Sequence, residues 1–131
     1  MIIDTSALIA ILRQEEEGAR FTDVLLQSAD NRISAGTLLE AQLIAAGYNG
    51  LDELVALLEE IDVEIVPFDA RQAELAFEAF QRFGKGRHPA GLNFGDCFAY
   101  ALARTLDEPL LFKGNDFSQT DIEPAVRLTP P

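Results

Sequence analysis

Short β-branched runs alternate with longer amphipathic segments along this chain, and this alternation constrains the fold more than any other feature. The predicted strands are Ile2–Ile3, Asn31–Ala35, Val63–Val66, Pro109–Phe112 and Val126–Leu128. Apolar residues at helical spacing predict helices at Ala7–Leu12, Gly18–Ala29, Thr37–Tyr48, from the cap Asp69 to Phe83, and Phe94–Leu106. In the helix after Asp69 the buried stripe is predicted to be Ala73, Ala76, Phe77 and Phe80. This order favours an α/β sandwich with a mostly parallel central sheet.

The chain has 131 residues, enough for one hydrophobic core, so we expect a single domain spanning residues 1–131. The longest apolar stretches are far below the ~20 residues that a membrane span needs. The start Met1-Ile2-Ile3-Asp4 lacks the basic and apolar regions of a signal peptide. We therefore expect a cytoplasmic protein in which the lone Cys97 is a reduced packing residue.

The net charge of −12 is unfavourable for an enzyme that acts on nucleic acid, because phosphate binding normally depends on Lys and Arg. The basic residues are unevenly distributed, however. Four of them fall within seven positions, in or beside the Gly84–Gly91 loop: Arg82, Lys85, Arg87 and His88. A local basic patch on an acidic protein is consistent with this pattern.

Two aspartates follow predicted strands. Asp4 comes directly after Ile2–Ile3, and Asp116 follows the strand that ends at Phe112. Functional groups of parallel α/β folds gather at the carboxyl ends of strands, so both acids are candidate site residues. Each also has a simpler explanation, because Asp is common in turns and helix caps.

Glu40 is predicted to lie on an apolar helix face, between Leu43, Ile44 and Gly47. A carboxylate on such a face is costly unless it is paired or bound to a metal. The alternative is a buried Glu bonded to an Arg or to backbone amides.

Asp96 is predicted at the third position of a helix that Asn93 caps, which is typical of a capping-box residue. Gly95 leaves space beside it, and the following helix is mostly apolar. Asp96 is therefore a candidate for both a structural and a functional role.

Four acids on separate elements that face one crevice would need a cation, because two carboxylates ~5 Å apart repel by roughly 3 kcal/mol at an effective dielectric near 20. Oxygen ligands favour Mg²⁺ or Mn²⁺. Such an ion would polarise a phosphodiester and make a bound water more acidic, so the pattern points to phosphodiester hydrolysis.

Four segments in order resemble a PIN-domain ribonuclease, and more narrowly the VapC toxins of bacterial toxin–antitoxin pairs. They are Met1–Leu8, the mid-helix Glu40, Gly86–Ala101 and Leu110–Phe117. The resemblance runs from Met1 to about Ile122. It implies an α/β/α sandwich and a metal-dependent ribonuclease that uses Mg²⁺ or Mn²⁺.

The resemblance also implies roles for individual residues. Asp4, Glu40, Asp96 and Asp116 would form an acidic quartet, with Asp4 and Asp96 as the principal metal ligands. Asp116 would bind the metal directly or through water, Glu40 would position the attacking water, and Ser6 would support the site. It further implies a homodimer and a VapB-type antitoxin whose tail enters the active site.

Lys85, Arg87 and His88 precede the Asp96 helix, and we expect them to contact the RNA substrate. The alternative is an ordinary solvated loop.

Other functions fit the sequence less well. A hydrolase built on Cys97 and His88 lacks a feature that would lower the thiol pKa. The segment Asp4-Thr5-Ser6 lacks the paired acids of a phospho-receiver and the Asp-x-Asp of a haloacid-type phosphotransferase. The principal alternative is a catalytically silent, metal-binding PIN-like module that acts through protein contacts.

Overall fold

A computed structural model describes residues 1–127 of the chain. Its sheet contains four strands, which are β1 (Ile2–Ile3), β2 (Arg32–Ser34), β3 (Glu64–Val66) and β4 (Leu110–Leu111). They lie in the order β3-β2-β1-β4, and each pairing is parallel. Ile2 is in register with both Arg32 and Leu110, so β1 lies at the centre. The predicted parallel α/β class is confirmed.

Six α-helices and one short 3-10 helix connect and follow the strands in the described chain. They are α1 (Thr5–Leu12), α2 (Gly18–Gln27), α3 (Ala35–Ala46), α4 (Leu51–Glu60), α5 (Ala70–Phe83), α6 (Phe94–Leu106) and the 3-10 turn Phe117–Gln119. The bounds of helix α4 were not predicted from the sequence, although its residues favour a helix. Asp52 and Glu53 occupy the first turn, where acids are favourable, and Leu54 and Leu57 face inward.

The helices cover both faces of the sheet because neighbouring strand residues point in opposite directions. Ile3, Ile33 and Leu111 pack in one core cluster with residues of α1, α2, α3 and α4. Ile2 and Leu110 belong to the opposite cluster, with residues of α5 and α6. The result is the expected α/β/α sandwich, with the carboxyl ends of β1 and β4 side by side at one edge.

The predicted buried stripe of α5 is partly wrong. Ala73 and Phe77 face solvent, and Phe77 is 62% exposed. The buried positions are Gln72, Ala76, Ala79 and Phe83. The helix is rotated because its inner face packs on α6, while the Gln72 amide donates a hydrogen bond to the Pro67 carbonyl.

The strand predicted at Val126–Leu128 also differs. The chain pairs with β4 before Val126, where the Leu110 N–H donates to the Glu123 carbonyl and the Ala125 N–H donates to the Leu110 carbonyl. The contact is an isolated parallel bridge between Leu110 and Pro124, which needs no N–H from the proline. Val126 lies in a bend, and Leu128 lies outside the described residues.

No helix within residues 1–127 is long and apolar enough to cross a membrane.

Candidate active site

Asp4 occupies the junction between β1 and α1. Its backbone N–H donates to the Leu111 carbonyl, which extends the β1–β4 pairing. Its carboxylate caps α1, because Oδ2 accepts hydrogen bonds from the Ser6 backbone N–H at 3.0 Å and from the Ser6 hydroxyl at 2.6 Å. The other oxygen, Oδ1, is buried and has no hydrogen-bond partner in the described residues. Asp4 is therefore both the predicted cap and a buried acid with a free oxygen.

Burial raises the pKa of Asp4 to about 6. The hydrogen bonds from Ser6 oppose this rise, and the negative charge of Glu40 adds to it. The buried carboxylate is thus poorly compensated at neutral pH, a situation that a cation would relieve.

Glu40 lies at the interface between α3 and α6. A methyl group at Gly95 would overlap the Glu40 carboxylate, so this carboxylate rests directly on the backbone that precedes Asp96. One turn earlier, Gly36 lies equally close to the Phe98 ring. These two glycines allow the close approach of α3 and α6, and the space predicted beside Asp96 is filled by Glu40.

The prediction that Glu40 lies on a buried apolar face of α3 is wrong. Leu43 is 66% exposed and Ile44 is 41% exposed, so the apolar face around Glu40 is directed to solvent. Glu40 is half-buried because of its contact with Gly95, and the helical wheel of α3 alone does not reveal that contact.

Asp96 forms the predicted capping box at the start of α6. The Asn93 side chain accepts from the Asp96 N–H at 2.9 Å, and Asp96 Oδ2 accepts from the Asn93 N–H at 3.0 Å. Burial raises the pKa of Asp96 to about 7, against the lowering effect of the Asn93 bond. The charges of Asp4, Asp116 and Glu40 raise it further. The structural and functional interpretations of Asp96 are therefore compatible.

Asp116 lies on the exposed segment between β4 and the 3-10 turn. It precedes Phe117 and makes no side-chain cap hydrogen bond. The segment is tied to Asp4 through Ser6, whose hydroxyl accepts from the Lys113 backbone N–H at 2.9 Å while donating to Asp4. Ser6 thus connects the two strand ends, a contact that the sequence could not show.

The four predicted acids, Asp4, Glu40, Asp96 and Asp116, form what we call the acidic cluster. The charges of the other three acids raise the pKa of Asp96. Within residues 1–127, however, no three Asp, Glu, His or Cys side chains are close enough to form a ready metal site. The buried Asp4 oxygen without a partner in the described residues and the two carboxyls of raised pKa fit a hard divalent ion.

The predicted RNA-contact residues lie on the Gly84–Gly91 loop. Lys85 and Arg87 are exposed, and no carboxylate of the described chain lies within 4 Å of either charge. The Arg87 guanidinium lies 5.5 Å from the centre of the Phe80 ring. His88 is different, because it is half-buried, its Nδ1 accepts from the Ala90 N–H, and its ring packs on Phe83.

Cys97 has no features of a nucleophile. Burial raises the pKa of its thiol to about 11, and its sulfur donates to the Asn93 carbonyl. Little thiolate exists at neutral pH, and the Nδ1 of His88 is already occupied. These observations disfavour a Cys–His hydrolase.

Comparison with known proteins identifies the family of the chain. Residues 1–123 match the profile of the PIN domain family. The chain is 46% identical over 133 residues to ribonuclease VapC28 of Mycobacterium tuberculosis, covering 96% of this chain and 98% of that protein.

Two solved structures share the fold. VapC20 of Mycobacterium tuberculosis, a toxin that cleaves the sarcin–ricin loop, superposes with a TM-score of 0.74 at 17% identity, covering 92% of this chain and 95% of that chain. A toxin–antitoxin complex from Klebsiella pneumoniae gives a TM-score of 0.71 at 20% identity, covering 92% of each chain.

Proposed function

Since this chain belongs to the PIN-domain family and is a VapC-type ribonuclease toxin of a VapBC toxin–antitoxin system, we propose that the acidic cluster is its metal-dependent active site. The observation that carries this proposal is the buried Oδ1 of Asp4, which has no hydrogen-bond partner in the described residues. Burial, together with the charges of Asp4, Asp116 and Glu40, also raises the pKa of Asp96. We propose Mg²⁺ as the cofactor, with Mn²⁺ as a substitute, because hard oxygen ligands suit both ions.

The roles of the acids follow from their surroundings. Asp4 would bind the ion through the buried oxygen that has no other partner, and Asp96 through the oxygen that its capping box leaves free. Asp116 would complete the site directly or through a water. Glu40 would accept a hydrogen bond from the attacking water and orient it toward the phosphorus. When bound, the ion would polarise the phosphodiester and increase the acidity of that water.

The substrate contacts are proposed for Lys85 and Arg87, with His88 in a supporting position. Replacing both Lys85 and Arg87 with Ala should weaken RNA binding and lower the dependence of affinity on salt concentration, since each phosphate contact contributes about one unit of slope. Arg71→Ala is the control, because Arg71 pairs with Glu74 on α5. Unchanged RNA binding in the double variant would contradict this assignment.

The structure from Klebsiella pneumoniae that shares the fold is a toxin–antitoxin complex. For this chain we propose a VapB-type antitoxin as the protein partner, with a tail that enters the active site and silences it. An RNA substrate agrees with the predicted cytoplasmic location. The organisation of residues 1–131 as one domain stays a prediction.

We further propose that a second copy of the chain covers an apolar face of α5 and α6. Phe94 is 81% exposed and Phe77 is 62% exposed, and they border an apolar groove of about 480 Å³. Monomers rarely leave large apolar patches uncovered. The double variant Phe77→Ser/Phe94→Ser should be monomeric by light scattering, whereas Leu26→Ser, at a 50% exposed position on α2, should not change the mass.

The decisive experiment uses protein freed of antitoxin, total RNA, and Mg²⁺ or Mn²⁺. Asp4→Asn and Asp96→Asn should abolish cleavage while the proteins stay folded. Asp69→Asn is a matched control, because Asp69 also caps a helix, accepting from the Gln72 N–H at 2.9 Å, but lies outside the acidic cluster. Cleavage that survives both site substitutions would refute the proposed site, and no cleavage by the wild type would favour a silent binding module.

A further inference from the structure

Lys113 connects the Asp116 segment to two other parts of the molecule. Its backbone N–H donates to the Ser6 hydroxyl, which itself bonds Asp4. Its ammonium lies 2.8 Å from Glu15 Oε1 and 3.3 Å from Glu17 Oε2. Lys113 lies in the Leu110–Phe117 segment that resembles the PIN-domain pattern, but its side chain takes no part in the proposed metal site or RNA contacts.

The two glutamates belong to a well-ordered turn between α1 and α2. The Glu15 N–H donates to the Ala10 carbonyl, and the Gly18 N–H donates to the Glu15 carbonyl. A side chain at Gly18 would press against the Ala10 carbonyl, so the turn lies directly on α1. Because α1 begins at the Asp4 cap, the acceptors of Lys113 are rigidly connected to the buried part of the acidic cluster.

Between Lys113 and Asp116 no other side chain of the described chain anchors the segment. Gly114 has a φ of +102°, which permits a sharp change of chain direction. The Asn115 carbonyl accepts from Ser118 and Gln119 and so organises the following 3-10 turn, whose Phe117 is buried in the core. Asp116 is therefore held between two anchors, Lys113 on the side of Asp4 and Phe117 on the side of the core.

The two glutamates of this contact differ in exposure. Lys113 faces both, and Glu17 is only 20% exposed; its Oε2 accepts no hydrogen bond in the described residues. The hydrogen bond with Glu15 is the main cause that raises the pKa of Lys113. Removal of the ammonium would leave two neighbouring carboxylates without their cation and would release the 112–116 segment from the turn between α1 and α2.

We infer that Lys113 is a positioning residue, whose ion pairs with Glu15 and Glu17 hold the 112–116 segment where Asp116 can share a metal ion with Asp4. The inference rests on the proposed metal site. An exposed ion pair contributes little to stability, so the main effect of Lys113 is expected on metal binding.

The test measures Mn²⁺ binding by calorimetry in antitoxin-free protein, together with kcat and KM for RNA cleavage. Lys113→Met, which keeps the length of the side chain but removes its charge, should weaken Mn²⁺ binding by about 10-fold, the lower range for residues that support metal ligands. The fall in kcat for RNA cleavage should be larger than any change in KM. Lys113→Arg should restore most of both values.

Two further variants separate positioning from a general loss of stability. Glu15→Gln/Glu17→Gln should weaken Mn²⁺ binding as Lys113→Met does, and adding Lys113→Met to it should cause little further loss. Arg71→Met is the control, since it breaks the equally direct 3.0 Å pair with Glu74 away from the site. Its Mn²⁺ affinity should equal that of the wild type.

Several outcomes would overturn the inference. One is Mn²⁺ affinity in Lys113→Met equal to that of the wild type, with or without a fall in melting temperature. Another is a rise in KM and a lower salt dependence alone, which would make Lys113 a phosphate contact. Mn²⁺ binding that requires Asp4 but not Lys113 would remove only this inference, whereas no Mn²⁺ binding by the wild type would remove the metal site as well.

Discussion

The two aspartates that follow the neighbouring strands β1 and β4 differ in how they are held. Asp4 after β1 is 3% exposed and is fixed by Ser6, whereas Asp116 after β4 is exposed and makes no cap hydrogen bond. Asp4 caps the α-helix that follows it, but Asp116 is reached through the Gly114 turn and does not cap the 3-10 turn that follows it. Parallel strands bring both acids to one edge of the sheet, yet only Asp4 is held there by a helix cap. We therefore distinguish a preorganised Asp4 end from an adjustable Asp116 end.

The largest expected effect tests the rigid end. Asp4→Asn should lower RNA cleavage by more than about 100-fold, beyond the 10–100-fold that residues behind a metal ligand contribute. Asp116→Asn should cost less activity, and more of its loss should be recovered at high Mg²⁺ concentration. Single-turnover cleavage across a Mg²⁺ series measures both. Equal losses that no Mg²⁺ concentration reduces would contradict the contrast between the two ends.

The second prediction concerns pH. The pKa of Asp4 in the folded protein is about 6, above its ordinary value, so the folded state binds this proton more tightly than the unfolded state. Without metal, the free energy of unfolding should therefore fall as pH rises from about 4 to 6, by on the order of 3 kcal/mol for Asp4. Asp96, with a pKa of about 7, should extend the fall toward pH 7.

Urea unfolding in EDTA, at intervals between pH 4.5 and 7.5, measures this slope. Asp4→Asn should flatten this slope between pH 4.5 and 6. Added Mg²⁺ should stabilise the protein more at pH 7 than at pH 5, where protons compete for the ligands. A metal-free protein that becomes more stable as pH rises over this range would contradict the assignment.

The third prediction breaks the bond that joins the two ends. Ser6→Ala removes the hydroxyl that donates to Asp4 and accepts from the Lys113 N–H. Cleavage should fall by about 10–100-fold, as for other residues that orient metal ligands. Ser6→Thr, which keeps the hydroxyl, should retain more activity. Wild-type rates in Ser6→Ala would show that the connection has no functional role.

The smallest expected effect is at Gly95, beside the rigid end. Ala in place of Gly usually gains about 1 kcal/mol in a helix, but here it would overlap the Glu40 carboxylate and cost about 1–3 kcal/mol as overpacking. Gly95→Ala should therefore be destabilised by about 1 kcal/mol in thermal unfolding. The shorter side chain of Glu40→Asp should recover part of this loss, and additive effects in the double variant would contradict the contact.

Much of the fold was accessible from local sequence signals. The Ile2–Ile3 strand, the Asn93–Asp96 capping box and the bounds of α6 all depend on residues that are neighbours along the chain. Helix orientation was less predictable, because the buried side of α5 depends on its packing against α6. For the same reason Phe77 was predicted to be buried and is exposed.

The sequence by itself determined the α/β/α class, the four candidate acids and the resemblance to PIN-domain ribonucleases, because strand ends, caps and motifs are local patterns. Only the tertiary structure decided how those acids are held. The contact of Glu40 with Gly95, the Ser6 link from Asp4 to Lys113, and the pairing of Lys113 with Glu15 and Glu17 join residues up to 107 positions apart. Such contacts depend on how helices and loops pack against the sheet, which no local spacing specifies.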